Sequence, residues 1–235
     1  MLTLQDFQFL NELEQTNPEV YNSILDMQKR NNIDISNCCH DLLNIVTLIN
    51  GHLQLLELFN PQLQNDRHLL TITENINYLT DALTSISKYR HARDLKKSTT
   101  DICRLVESVI ANHDEADIHL SCADNLPTVI IDKEKIAVNI NNMIENVLEL
   151  DSSGRININI FVRNSLLHIQ VCDNLIGLTP DVHNSIFMPF TTDKANHIGL
   201  SLSTAYQTMI AHGGNLTYSE NNPTGSIFTM QFPLP

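Results

Sequence analysis

Apolar side chains recur at Ile35, Cys39, Leu42, Val46, Ile49, Leu53 and Leu56. The spacing alternates four and three, which puts them on one stripe of a helix as a heptad seam. Proline disfavours helical backbone in the residue before it, so this helix is predicted to end near Asn60-Pro61. A second stripe, Leu69, Ile72, Ile76, Leu79, Leu83 and Ile86, marks a helix from about Asp66 to Arg90. Two such helices with a short connection form an antiparallel hairpin. A lone hairpin buries only part of each stripe, which predicts a homodimer in which two copies pair into a four-helix bundle. Upstream, residues 1–33 read as one or two short helices broken near Asn17-Pro18, with a packing role only.

From Thr100 the period changes. A helix through Ile102, Leu105, Val106, Val109 and Ile110 leads to a predicted strand at Ile118–Cys122 and another within Leu126–Asp132. A helix from about Lys133 to Leu150 precedes two alternating strands, Ile156–Ile160 and Leu167–Val171, with Gly154 and Asn164-Ser165 as turns. A last helix near Leu200–His212 and strands at Leu216–Ser219 and Ile227–Phe232 close the chain. The fold class is α+β: an N-terminal helical hairpin followed by an α/β sandwich with helices on one face of a mixed or antiparallel sheet. The predicted division is 1–33, an N-terminal helical segment; 34–97, the hairpin; and 98–235, the sandwich. Lys88, Arg90, Arg93, Lys96 and Lys97 crowd the boundary and read as a solvated linker, with cations favoured at a helix C-terminus.

Composition narrows the function. A net charge of −13 argues against nucleic acid or an anionic membrane as partner. No apolar run approaches the roughly 20 residues that span a bilayer, and Met1–Asp6 has no signal-peptide character. Cys38, Cys39, Cys103, Cys122 and Cys172 are odd in number and form no CxxC pair. They are expected to be free thiols in a reducing cytoplasm, with no zinc site.

Candidate chemistry begins at Cys39-His40-Asp41-Leu42-Leu43-Asn44. His40 lies just off the apolar stripe, so its ring can be exposed while the stripe is buried. A neighbouring carboxylate favours a basic, oriented imidazole, and such a ring can attack a phosphoryl group. Asn142 and Asn146 stand one turn apart on one helix, where amide oxygens can meet a hydrated Mg²⁺ and its phosphates. Asp173-Asn174-Leu175-Ile176-Gly177 follows a strand, where an Asp can accept from an adenine amino group. Phe187-Met188-Pro189-Phe190-Thr191-Thr192 is an unusual string. Gly199-Leu200-Ser201-Leu202 opens a helix whose backbone N–H groups can meet phosphates.

In order and spacing these motifs resemble the N, G1, F and G2 boxes of the histidine-kinase-type ATPase domain, within the wider Bergerat-fold group, from about Thr100 to Pro235. The His40 segment resembles the phosphoacceptor box of the dimerisation and phosphotransfer domain. The resemblance implies His40 as phosphoacceptor, Asp41 as its orienting acid and Asn44 as a residue of γ-phosphate handling or phosphatase activity. It implies Asn146 as a Mg²⁺ ligand with Asn142 nearby, Asp173 as the adenine acceptor with Gly177 allowing close backbone approach, and Thr192 and Gly199 as further ATP contacts at the lid. The implied partner is a response-regulator receiver domain.

Departures qualify this. Leu175 stands where the first G1 glycine is usual, and His197 and Ser201 flank Gly199 where the family has further glycines; a side chain there obstructs backbone approach to phosphate. Ile45 replaces a frequent proline after the box asparagine. Hydrolysing members of the group carry a Glu where this chain has Asn142, which cannot act as a base near neutral pH, so phosphoryl transfer is favoured over rapid hydrolysis. The hairpin is also similar to that of sporulation phosphotransferases. Three readings result: a soluble two-component histidine kinase, a phosphorelay histidine phosphotransferase whose vestigial ATPase-like domain does not use ATP, and a non-enzymatic regulatory module.

Overall fold

The computed structural model describes residues 18–178, 185–192, 194 and 197–234. The expected features of residues 1–17 and the break at Asn17 lie outside them. The chain forms two compact units, one through Ser87 and one from Lys88.

The first unit is a helical hairpin. Helix α1 runs Pro18–Phe59, and Pro61–Leu63 forms a 3₁₀ turn. Helix α2 runs Arg67–Arg90. Helix α1 crosses the expected 33/34 boundary unbroken. Its sequence explains this: proline occurs only at its first residue, where a fixed φ and a missing N–H are tolerated. Asp66 starts α2 by accepting the N–H groups of His68 and Leu69, both at 3.0 Å. Cys39, Val46 and Leu83 are buried against Leu43, Ile76 and Ile86. The alternate members of the two stripes, Leu42, Ile49, Leu56, Ile72 and Leu79, are exposed. Among the described residues one segment, Asn37–Phe59 of α1, is long and apolar enough to cross a membrane by length and composition alone. This amends the sequence expectation, which considered uninterrupted apolar runs; His40, Asp41, His52 and Glu57 punctuate this one.

The second unit is a sandwich. Its elements are β1 (Ser98–Thr100), α3 (Ile102–Ile110), β2 (Ile118–Cys122), β3 (Val129–Ile131), α4 (Lys133–Leu150), β4 (Ile156–Arg163), β5 (Leu166–Asp173), α5 (Ser201–Ala211), β6 (Asn215–Glu220) and β7 (Ser226–Pro233). The five-stranded sheet has the order β2-β4-β5-β7-β6, with β2 parallel to β4 and the other pairs antiparallel. β1 and β3 pair separately. Alternation puts Ile156, Ile158 and Ile160 of β4 and Leu167, Ile169 and Val171 of β5 on one buried face. Ile136, Ile140, Met143, Ile144 and Val147 of α4 join the same core, and α4 touches both α3 and α5. Asn164 and Ser165 both have positive φ, the backbone a two-residue hairpin turn requires.

Two expectations are corrected here. Cys103 and Cys122 are joined by a disulfide between α3 and β2, so only Cys38, Cys39 and Cys172 are free thiols. The pair is separated by 19 positions, and only the packing of α3 beside β2 brings the sulfurs together. The basic segment 88–97 is solvated in part, with Lys88, Arg93, Lys96 and Lys97 exposed, but it is also anchored within the second unit. Ala92 is buried, Arg93 Nε donates to Gln207 Oε1 at 2.8 Å, and Lys135 Nζ donates to the His91 carbonyl at 2.7 Å.

Candidate functional site

On the hairpin, His40 is 75% exposed and Asp41 equally open. Asn44 Nδ2 lies 3.2 Å from His40 Nδ1, one helical turn away, and Asp41 Oδ1 lies 3.6 Å from the same nitrogen. Both neighbours therefore approach Nδ1, and Nε2 makes no hydrogen bond among the described residues. At 3.6 Å Asp41 is within ion-pair range but outside hydrogen-bond range. Asn44 holds the ring more closely than the expected orienting acid does.

In the second unit a cavity of about 250 Å³ opens between α4, the end of β5 and the start of α5. Asn146, Asp173, Thr192 and Gly199 all line it, although they span more than fifty positions. Asp173 ends β5 and is only 6% exposed. Its Oδ1 accepts the N–H groups of Leu175 at 2.9 Å and Ser226 at 3.2 Å. Two backbone donors thus fix the carboxylate while Oδ2 makes no hydrogen bond among the described residues, leaving an acceptor for a ligand amino group. Met143, Val147, Leu150, Ile176 and Phe228 add apolar wall. Ile176 is 91% exposed at the mouth of this wall.

Two expected residues are not part of the lining. Asn142 is half-buried on α4, one turn below Asn146; four residues advance a helix by a full turn plus about 40° and roughly 6 Å, enough to leave the cavity wall. Gly177 instead backs onto Gly225, whose carbonyl oxygen would lie 2.9 Å from a Cβ at 177. Its close backbone approach is to the protein's own chain. Leu175, at the missing-glycine position, directs its side chain toward Gly154 and the core and does not obstruct the cavity. Ser201 does line it. Gly199 has a φ of +69°, and a Cβ there would collide with Thr191 backbone. The Phe190 N–H donates to the Gly199 carbonyl at 2.9 Å, so the Phe187–Thr192 string and the start of α5 are pinned together.

Other features were not legible beforehand. Lys194 Nζ donates to Glu149 Oε2 at 2.6 Å and to Asn146 Oδ1 at 3.4 Å. Buried His212 accepts the Asp132 N–H on Nε2 at 2.9 Å, with Nδ1 2.7 Å from the Thr208 carbonyl. This fixes one tautomer, with the proton on Nδ1. Burial pushes the His212 pKa down. Burial resists ionisation of Asp132, but donation from the Lys96 and Lys135 N–H groups outweighs it and holds the carboxyl below its usual range. Burial pushes the Cys172 thiol up, which keeps it protonated beside Asp173. Among the described residues no cluster of His, Cys, Asp and Glu could hold a metal ion on its own. A divalent cation here would need phosphate oxygens beside the Asn146 amide oxygen, which fits the way Mg²⁺ is usually held.

Residues 131–235 match the family described as histidine kinase-, DNA gyrase B- and HSP90-like ATPase. Curated relatives include the sensor histidine kinase ZraS of Escherichia coli, 26% identical over 68% of this chain and 36% of its own. Another is the signal transduction histidine-protein kinase AtoS of the same organism, 24% identical over 83% and 33%. Sporulation kinase E of Bacillus subtilis is 22% identical over 83% and 27%. The chain thus spans about a third of the length of these relatives. Among solved structures, full-length ShkA in complex with AMPPNP superposes with a TM-score of 0.74 at 18% identity, covering 85% of this chain and 45% of that one. Histidine kinase ThkA in complex with response regulator protein TrrA gives 0.56 at 18%, covering 96% and 66%. At these identities the superpositions show the fold.

Proposed function

We propose that the chain acts as a histidine kinase, a reading supported by the ATPase family matched over residues 131–235 and by the curated relatives: ATP held in the α4–β5–α5 cavity phosphorylates His40, and a receiver-domain aspartate then takes the phosphoryl group. The observation that carries this reading is the convergence of Asn146, Asp173, Thr192 and Gly199 on one cavity. Asp173 Oδ2 accepts from the adenine amino group. Apolar Ile176 and Val147 cover its ring, and the Thr192–Gly199 end faces the phosphates. Asn146 would hold Mg²⁺, which supplies neutralisation of phosphate charge when bound. The ShkA complex with AMPPNP supports a nucleotide in this fold, and the ThkA–TrrA complex supports the receiver partner.

At His40 the ring nitrogens have separate tasks. Donation from Asn44 Nδ2 to Nδ1 leaves the ring proton on Nε2, the resting tautomer. When Asn44 turns its amide oxygen, or Asp41 its carboxylate, onto Nδ1–H, the Nε2 lone pair is exposed as nucleophile. The Nε2–P bond then forms as the bridging P–O bond to ADP breaks, and ADP leaves with the electron pair. The exposed row Leu42, Ile49, Leu56, Ile72 and Leu79 supports a homodimer through the hairpin. A cytoplasmic location belongs to the same reading, because the phosphoryl donor is ATP.

The test is incubation with Mg²⁺ and γ-labelled ATP. Acid-labile, base-stable label that His40→Gln abolishes is the expected result. A second reading rests on Ser201 lining the cavity where a glycine is usual: a phosphotransferase that receives its phosphoryl group from a phosphorylated receiver. Absence of label from ATP, with label from the receiver, selects it.

A further inference from the structure

The cavity that receives the nucleotide is poorly supplied with positive charge. Lys194 is the only lysine or arginine among its described lining residues, in a chain of net charge −13. That one ammonium is already engaged. Its Nζ lies 2.6 Å from Glu149 Oε2 and 3.4 Å from Asn146 Oδ1. His197 Nε2 stands 3.7 Å from the same Glu149 oxygen. Glu149 and Asn146 are three residues apart on α4, so their oxygens share a helix face. The Lys194 side chain is 25% exposed and Glu149 is 44% exposed, which makes the pair accessible to an incoming anion.

We propose that Glu149 is a built-in competitor for the nucleotide's phosphates: it holds Lys194 on Asn146 and yields it only to a polyphosphate. The inference rests on the reading of the cavity as a nucleotide site. Lys194 carries three donors, and two are spent on α4. An ATP polyphosphate carries several negative charges against one on Glu149, so it outbids the carboxylate. Transfer of Lys194 to phosphate also frees the Asn146 amide oxygen, the atom that would hold Mg²⁺. A nucleotide whose phosphates draw Lys194 off α4 therefore breaks the Lys194–Glu149 pair, whereas a nucleoside without phosphates leaves it intact. Glu149 in this way lowers affinity for ATP and ADP while leaving recognition of the base untouched.

Calorimetric titration of the full chain with Mg-ATP, Mg-ADP and adenosine tests this in the wild type, Glu149→Gln, Lys194→Met and the double variant. A partly exposed ion pair has a modest strength, so Glu149→Gln is expected to tighten ATP and ADP about three- to fivefold. Lys194→Met is expected to weaken both about tenfold. In the Lys194→Met background the Glu149 substitution should change ATP affinity less than twofold. Adenosine affinity should be the same in all four proteins, which also reports that each is folded. An equal gain from Glu149→Gln with and without Lys194 would mean simple charge repulsion and overturns the proposal. So does an unchanged or weakened ATP affinity in Glu149→Gln. Either result, with adenosine still bound, leaves the nucleotide site standing. Failure of the wild type to bind any of the three ligands overturns the site and the proposal together.

Discussion

Gly199 is fixed by two independent constraints, a left-handed φ of +69° and backbone contact with Thr191. A Cβ there must both adopt unfavourable backbone and displace a peptide group, at a cost of about 1–3 kcal/mol. Gly199→Ala is therefore expected to lower the melting temperature and weaken Mg-ATP binding together, read by thermal denaturation and titration. Asp173→Asn separates these effects. An amide oxygen can still accept from Leu175 and Ser226, so the β5 end is retained. Loss of the charged acceptor removes about 1.5–3 kcal/mol of hydrogen bonding to an adenine amino group, or roughly 10- to 100-fold in affinity. Adenosine titration with circular dichroism as the folding control checks this; unchanged adenosine affinity would remove Asp173 from base recognition.

At the scale of elements, the start of α4 is tied down from three directions. Asp132 caps Lys135 N–H, accepts Lys96 N–H on its other oxygen, and offers its own N–H to His212. Burial depresses the His212 pKa, with Lys97 and Lys135 acting the same way and Asp132 opposing them. The folded state thus binds fewer protons than the unfolded chain, and stability rises with pH. The contribution is complete above the ordinary histidine value of about 6.5 and is lost as pH falls through the folded value. Melting temperature is expected to drop between pH 7.5 and 5.5, with a smaller drop in His212→Gln. An equal drop in both proteins would exclude His212 as the titrating group.

The same elements show what sequence can reveal. Strands β4 and β5 were legible because Ile-Asn-Ile-Asn-Ile and Leu-His-Ile-Gln-Val alternate over a half-buried sheet. Strand β1 was not, since Ser98-Thr99-Thr100 has no apolar alternation and gains its pairing only from β3. Asn146, Asp173, Thr192 and Gly199 could be named from motifs, and the structure gathers them. The Lys194–Glu149 pair, the His212–Asp132 bond and the Cys103–Cys122 link join residues distant in sequence, and no local pattern encodes such meetings. Asn142 lies outside the lining for a different reason: helical spacing predicts a shared face but not where a cavity wall ends.

For the whole molecule, the two apolar stripes of the hairpin are each divided. Cys39, Val46 and Leu83 are buried within the unit, while Leu42, Ile49, Leu56, Ile72 and Leu79 remain exposed. Burying such a row in a second hairpin contributes about 1.5–3 kcal/mol per fully covered large aliphatic side chain. Ile49→Asp is expected to convert a dimer to a monomer in sedimentation equilibrium without loss of helicity. A wild-type chain that is monomeric at high micromolar concentration would refute the paired-hairpin arrangement. Helix α1 adds a mechanical consequence. It runs 42 residues without interruption, about 60 Å, and each residue turns it by about 100°. His40 is therefore geared to whatever grips the helix near Pro18. A twist applied there arrives as a change in the bearing of the imidazole, and a shift of a single residue in register would swing the histidine through more than a quarter of a circle.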